Sequence, residues 1–240
     1  MNVIKIGGSV LYENENINVK LFNEIFNTVK NEYNIFVIGC GKKLHDLTIK
    51  YNLTDTSKNN NIKIKEKHAE EINNLLKKNL EKIDNKKLVK YLPNELFEKK
   101  STGNKNHHEI NKFHNEKIEN YIKEYFILIT GGIVKDLNLG YCAISSDTIA
   151  GYLANYYNAK NLLILTDTNG ILKNNENVKE IFLNEKYEFI TGEMENKLRR
   201  LRNTITNNIN IKIANGFDIS NLEKILKAEK DAIYTEIKVL

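Results

Sequence analysis

Short apolar runs recur along the chain, each closed by glycine or by a polar turn. Val3-Ile4-Lys5-Ile6 runs into Gly7-Gly8-Ser9, Ile35-Phe36-Val37-Ile38 into Gly39-Cys40-Gly41, and Phe126 to Thr130 into Gly131-Gly132. Leu162 to Leu165 ends in Thr166-Asp167-Thr168-Asn169-Gly170, and Ile209 to Ile213 in Asn215-Gly216. Such short continuous runs predict strands buried on both faces, as in a parallel sheet. Between them the hydrophobic period becomes helical. Leu21, Phe22, Ile25, Phe26 and Val29 share one face, and Leu44, Leu47 and Thr48 begin another helix. Ala69, Ile72, Leu75, Leu76, Leu80 and Ile83 predict an amphipathic helix over 66–83. Further helices are predicted over 148–156, 194–206 and 220–226, the last capped by Asp218 or Ser220, and Ile118, Ile122 and Tyr125 mark a short one. Ile233 to Val239 alternates and predicts a last edge strand. Residues 12–18 and 52–61 read as polar loops, and 99–115 as a loop or short hairpin. Strands alternating with helices predict an α/β fold, a three-layer αβα sandwich around a mostly parallel sheet. The whole of 1–240 reads as one domain.

Composition narrows the partners. The 240 residues are 41% hydrophobic, enough for a sizeable core. Lys+Arg 36 against Asp+Glu 31 makes a mixed charged surface, so neither nucleic acid nor a membrane is an expected partner. Cys40 and Cys142 are the two cysteines, too few for a disulfide framework, and a reducing cytoplasm is expected. No signal-peptide pattern precedes the first strand, and no apolar run approaches a membrane span. His107, His108, Glu109 and His114 match no zinc spacing, so no metal site is expected there. The chain lacks a Gly-x-x-x-x-Gly-Lys-Ser/Thr loop, and no Gly-x-Gly-x-x-Gly follows the first strand. P-loop and dinucleotide-dehydrogenase chemistry are thereby disfavoured.

The turns carry the candidate chemistry. Gly7, Gly8 and Ser9 offer backbone N–H groups to an anion with no Cβ in the way, and Lys5 adds a compact charge. Ser145, Ser146 or Asp147 caps the next helix, whose first N–H groups also favour negative charge. The polar turn after Leu165 stands at a strand's carboxyl end, where open α/β sheets bind ligands. Together these features predict a nucleotide phosphate-transfer site. A lysine inside a buried strand needs a partner or a ligand. By spacing alone, Lys197 belongs with Arg199, Arg200 and Arg202 to a solvated helix face, and His45 is a surface histidine beside Asp46.

Lys-x-Gly-Gly-Ser at 5–9, a glycine turn at 39–41, Ser-Asp-x-x-Ala at 146–150, Thr-Asp-x-x-Gly at 166–170, Thr-Gly-x-Met-x-x-Lys at 191–197 and Asn215-Gly216 follow one another in order. Taken together they resemble the amino acid kinase superfamily. Gly41 to His45, and Gly132-Ile133-Val134-Lys135-Asp136 with Gly140, are similar to the isopentenyl phosphate kinase group within it. Cys40 interrupts that group's three-glycine turn, Ile38 replaces its leading histidine, Ser146 and Glu193 stand where it has glycine, and 12–18 lacks its lysine.

The resemblance implies ATP and Mg²⁺ as cofactors and a small phosphorylated acceptor, isopentenyl phosphate first. The aminomethylfuran phosphate kinase group, an acetylglutamate-type carboxylate kinase and a non-catalytic nucleotide- or oxyanion-binding relative are the alternatives. It implies that Lys5 and Lys197 stabilise charge, that Asp147 organises both, and that His45 grips the acceptor phosphate. Gly7, Gly8, Ser9, Thr166, Asp167, Gly170 and Met194 are then expected to bind the nucleotide. Gly39, Cys40, Gly41, His45, Gly132 and Gly140 are expected to bind the acceptor. Helix 66–83 would cover the acceptor's hydrocarbon part. Residues to about 140 form the acceptor-binding half and the rest the nucleotide-binding half. A homodimer through helix 66–83 or a sheet edge is expected.

Overall fold

The structure, a computed structural model, describes residues 1–13, 16–30, 34–53, 62–101 and 108–239. In chain order, β1 (Asn2–Ile6) leads to the four-residue helix α1 (Gly8–Leu11), the small ladder of β2 (Tyr12–Glu13) with β3 (Asn16–Ile17), and α2 (Val19–Val29). Then come β4 (Asn34–Ile38), α3 (Lys42–Lys50), α4 (Ile62–Glu81), β5 (Leu88–Tyr91) and the single turn α5 (Pro93–Leu96). The middle holds β6 (Phe97–Ser101), β7 (His108–Phe113), α6 (Glu116–Glu119), β8 (Phe126–Thr130), β9 (Gly132–Asp136) and β10 (Gly140–Ile144). The last part runs α7 (Ser146–Tyr156), β11 (Asn161–Thr166), the ladder of β12 (Leu172–Lys173) with β13 (Glu176–Asn177), β14 (Glu180–Phe182), α8 (Gly192–Arg202), β15 (Asn210–Asn215), α9 (Ile219–Leu226) and β16 (Thr235–Lys238).

Eight strands form the central sheet in the order β14-β16-β15-β11-β1-β4-β8-β5. β15, β11, β1, β4, β8 and β5 run parallel, while β16 is antiparallel to β15 and carries β14 parallel to itself. The expected α/β architecture with a mostly parallel sheet is therefore present. Alternation along β1 sorts the two faces. Ile4 and Ile6 pack with α2 and α9 through Phe22, Ile25, Leu222 and Ile225. Val3 joins the opposite core with Ile149 and Leu153 of α7 and Leu198 and Leu201 of α8. Lys5 shares the face of Val3 by the two-residue period of a strand, so its side chain rises toward α7. The helices start where side chains satisfy their first N–H groups: Asn18 Oδ1 accepts from Leu21 N at 2.9 Å, and Asp218 Oδ1 from Asn221 N at 2.9 Å.

A second sheet of four strands, β10-β9-β6-β7, was not foreseen apart from the hairpin option for 99–115. β9 and β10 are short and glycine-flanked, and β5, which pairs with β8 at the edge of the central sheet, is a mixed run, so none carries a strong local period. β9 and β10 pack under α4. Ala69, Ile72 and Leu76 of α4 meet Ile133 of β9 in one buried cluster. In β6 the Lys99 ammonium is buried and donates to Ala143 O at 3.2 Å; burial pushes its pKa down, opposed by Cys142 and Asp136.

Three boundaries differ from expectation. The C-terminal strand is not an edge, because β14 pairs along its outer side. α4 starts earlier, at Ile62, and ends at Glu81. α8 stops at Arg202 instead of continuing to 206, where Asn155 Oδ1 takes the N–H groups of Thr206 and Asn207 at 2.8 and 2.9 Å. Most of the predicted loop at 52–61 lies outside the described residues, as does His107. His114 sits between Glu98 and Glu116 at 3.5 and 3.2 Å. Among the described residues, no helix is long and apolar enough to cross a membrane.

At the amino end of the sheet, Asn34, Asn2, Asn161 and Asn210 fall in register on four adjacent strands. Asn161 Nδ2 donates to Asn2 Oδ1 at 2.8 Å, and Asn210 Nδ2 donates to Asn161 Oδ1 at 3.0 Å. Asn161→Ala removes both bonds and should cost about 1–3 kcal/mol, at about 0.5–1.5 kcal/mol per bond. Asn210→Ala removes one and should cost about half as much. Urea unfolding of both variants checks this, and equal losses would contradict the ladder.

Candidate functional site

The parallel strands end together, and their ladder continues into the glycine turns. Gly7 N donates to Leu165 O at 2.8 Å, Gly39 N to Ile6 O at 2.9 Å, and Gly131 N to Ile38 O at 2.9 Å. The Gly7 N–H is therefore spent on the sheet and is not open to an anion, contrary to the expectation that all three of Gly7, Gly8 and Ser9 offer theirs. Gly8 and Ser9 open α1, whose first N–H groups have no partner within the helix. The first two turns touch backbone to backbone: a Cβ on Gly39 would stand 2.5 Å from Gly8 N. No side chain fits there without moving one of the turns.

β10 delivers the chain to α7. Ser145 is the cap, its Oγ accepting from Asp147 N at 3.2 Å. Asp147 is thus not the cap, and its carboxylate is left for other partners. Its Oδ1 takes Lys5 Nζ at 2.9 Å and Lys197 Nζ at 3.5 Å, and its Oδ2 takes Arg200 Nη1 at 3.4 Å. The Lys5 and Asp147 side chains are 5% and 6% exposed, Lys197 12% and Arg200 31%. Burial by itself would raise the Asp147 pKa, but Lys5, Lys197 and Arg200 outweigh it and hold the carboxyl well below the usual range. Burial pushes the Lys197 ammonium down to about 8, with Lys5 adding to the shift and Asp147 opposing it.

Two groups of residues flank this cluster. On one side stand Thr166, the last residue of β11, and Asp167 and Gly170 after it, and Thr166 Oγ1 donates to Asp167 Oδ1 at 3.1 Å. Gly170 packs against Thr235 and Asn177, and Asn215 Nδ2 donates to Asn169 Oδ1 at 3.0 Å. Met194 lies in the first turn of α8, half-buried against the core. On the other side, Cys40 is close enough to Lys5 to feel its charge. Burial pushes the Cys40 thiol up, and a backbone hydrogen bond and Lys5 offset part of that. The Tyr12 ring covers Gly41. His45 is exposed one turn into α3, its N–H donating to Gly41 O at 3.2 Å.

The structure does not bring every expected residue to this place. Gly132 sits under Leu76 of α4, and Gly140 against Ile62 at the far end of the β9–β10 hairpin. The glycine nearest the start of α7 is Gly131, where a Cβ would lie 3.0 Å from Ser146 N. Ala69, Ile72 and Leu76 of α4 are buried in one cluster with Leu44, Leu53 and Ile133, with the half-buried Cys40 of the second glycine turn packed against it, and Leu80 lies in the core beside β1 and α2. Arg200 escaped the sequence reading. Its three-residue spacing from Lys197, which puts both on one helix face, was the available signal. Arg202 is held elsewhere, by Glu195 Oε1 at 2.7 Å and Leu183 O at 2.6 Å, and Arg199 donates to Asn196 Oδ1 at 3.1 Å. Among the described residues, no group of three or more His, Cys, Asp or Glu could hold a metal ion.

Residues 1–215 match the amino acid kinase family. The chain is 31% identical over 137 residues to isopentenyl phosphate kinase of Methanocaldococcus jannaschii, a match over 52% of this chain and 51% of that protein, so it spans about half that relative's length. It is 28% identical over 207 residues to acetylglutamate kinase of Prochlorococcus marinus, covering 78% of this chain and 72% of the relative. A solved structure of isopentenyl phosphate kinase superposes with a TM-score of 0.79 at 17% identity, covering 99% of both chains.

The reach of α8 to Asp147 depends on a close contact with α7. A Cβ on Gly151 would stand 2.2 Å from Thr204 Oγ1, which itself donates to Arg200 O at 2.9 Å. Gly151→Ala should cost about 1–3 kcal/mol by overpacking. Combined with Thr204→Ala it should cost distinctly less, because neighbouring sites are not additive. Urea unfolding of the two single variants and the double variant measures the coupling. Additive losses would mean that Gly151 and Thr204 do not set the spacing.

Proposed function

The chain belongs to the amino acid kinase family and is a phosphotransferase, and from that premise we propose that it moves the γ-phosphoryl group of ATP onto a small acceptor that already ends in a phosphate, isopentenyl phosphate being the first choice. The observation that carries this reading is the buried cluster of Lys5, Lys197 and Arg200 around one carboxylate, at the carboxyl ends of the parallel strands and between two glycine turns. Three cations on one anion leave an excess of positive charge in a half-closed place. That suits a polyphosphate and suits neither an apolar nor a cationic ligand.

Phosphoryl transfer passes through a loose transition state and asks for positioning and charge more than for covalent chemistry. Lys5 and Lys197 each keep ammonium N–H groups beyond the one given to Asp147, and those donors would lie on the phosphoryl oxygens. Asp147 stays ionised and acts as the organiser of both. It has no base to supply, since a phosphate acceptor is already ionised. Gly8 and Ser9 would add backbone donors, and Thr166, Asp167, Gly170 and Met194 would meet the nucleoside. Mg²⁺, where it takes part, would ride on the nucleotide phosphates and offset their charge, since the described residues offer no carboxylate cage for it. Gly39, Cys40, Gly41 and His45 stand at the other end and would take the acceptor phosphate. The superposition at 0.79 over nearly the full length of both chains supports the fold behind this reading, and the match to the Methanocaldococcus kinase supports the acceptor. The longer match to an acetylglutamate kinase keeps a carboxylate acceptor as the second reading.

Two measurements test it. In a screen of small phosphates and carboxylates for acceptor-dependent ADP release, phosphorylated short-chain alcohols should turn over and N-acetylglutamate should not. His45→Ala should raise KM for the acceptor while leaving KM for ATP nearly unchanged. Turnover of N-acetylglutamate alone would reverse the choice of acceptor. The second is a pH profile. kcat/KM reports ionisations of the free enzyme, and Lys197 loses its proton near pH 8. If its charge serves the transfer, kcat/KM should fall about tenfold per pH unit above that point. A profile level to pH 10 would remove Lys197 from the transfer step.

A further inference from the structure

Asp147 has two oxygens and uses them differently. Oδ1 is shared by Lys5 and Lys197, and Oδ2 faces Arg200. A carboxylate held on one oxygen alone can rotate about its χ2 bond, which is soft. A planar guanidinium on the second oxygen stops that rotation and cannot lose its charge. Of the four cations on α8, Arg200 and Lys197 are the two that reach Asp147. Arg200 is held in place by its own helix, with Thr204 seated on its carbonyl and against Gly151.

We propose that Arg200 is a positioning residue: it holds Oδ2 of Asp147 so that Oδ1 stays turned toward Lys5 and Lys197. The assignment goes beyond the family motif residues, and its kinetic consequence rests on the kinase reading. Lys197 feels Asp147 on α7 and Lys5 on β1, Arg200 meets the same carboxylate from the helix that carries Lys197, and Cys40 after β4 stands close to Lys5. Removing the guanidinium frees Oδ2, so that Oδ1 can turn away from Lys197 and support its ammonium less, which favours the neutral form. Loss of a neighbouring positive charge by itself would favour the protonated form, so the two effects have opposite signs.

The test is a titration of the whole protein labelled with ¹³C and ¹⁵N lysine, following the Cε–Nζ signal of Lys197, identified by its loss in Lys197→Arg. Arg200→Gln should move the Lys197 midpoint down by about half a pH unit, the sign of a lost hold on Oδ1, whereas loss of a neighbouring charge alone would move it up. Arg200→Lys keeps the charge and should leave it within a few tenths of the wild-type value. Arg200→Met keeps the stem and replaces Arg200→Gln should that variant not fold. In the kinetic arm, Arg200→Gln should lower kcat about tenfold, keep KM for ATP within about twofold, and carry the basic limb of kcat/KM downward with the titration. A midpoint in Arg200→Gln equal to or above that of wild type would overturn the proposal. The titration needs no turnover. A lowered midpoint in a protein inactive toward every acceptor would count against the kinase reading and for Arg200. An unshifted or raised midpoint in an active kinase would do the reverse.

Discussion

A carboxylate taken out of water costs several kcal/mol unless cations and hydrogen bonds replace its hydration. Asp147 is buried nearly completely, and three cations meet it. Much of the architecture follows from that requirement. Lys5 comes from the first strand, Asp147 from the middle of the chain, and Lys197 and Arg200 from a late helix. The sheet must carry the end of β1 beneath the start of α7, and α8 must lie tightly along α7. The first is met by the parallel pairing of β1 with β11 and β4, and the second by the contact of Thr204 with Gly151. The same cations that neutralise Asp147 outnumber it, so the solution to a folding problem leaves an excess of positive charge at the ends of the parallel strands.

The glycine turns complete that place by being narrow. The ladder runs on through Gly7, Gly39 and Gly131 after the strands' side chains have ended, so the backbone itself forms the floor. Gly8 and Gly39 approach each other more closely than any side chain would allow. Part of the expected anion cradle is consumed in this way, since the Gly7 N–H belongs to Leu165. The donors that remain are fewer than the motif suggests, which gives the lysines a larger share of the proposed work.

The two ends of the site differ in character. Toward β11 and β15 it is lined by Thr166, Asp167, Asn169 and Asn215, bonded among themselves. Toward α3 it offers Cys40, the ring of Tyr12 and the exposed His45. The apolar stripe of α4 packs with Ile133 of the second sheet and Leu44 of α3, and Cys40 of the second glycine turn rests on the same cluster. Acceptor choice on such a scaffold rests on a handful of side chains. That is why a fold shared over nearly the whole chain leaves the acceptor a matter for assay.

Local chemistry made much of the fold legible. The continuous runs ending in glycine marked the five core strands, because a strand covered on both faces must be apolar throughout and must stop where side chains are lost. The helical stripes of α2 and α9 and the Asp218 cap were equally visible. In the site, local chemistry pointed to Lys5, Asp147 and Lys197 separately, and it was the resemblance to the kinase superfamily that joined them, with Asp147 organising both lysines. The tertiary structure decided that Ser145 caps α7, leaving Asp147 free, and that Arg200 shares the face of Lys197 toward it. It decided too that the C-terminal strand is flanked by β14, and that β5, β9 and β10 are strands at all. These are matters of which segment lies beside which. A residue's own neighbours in sequence set its local preference, while the partner that satisfies a buried charge or an open strand edge comes from elsewhere in the chain.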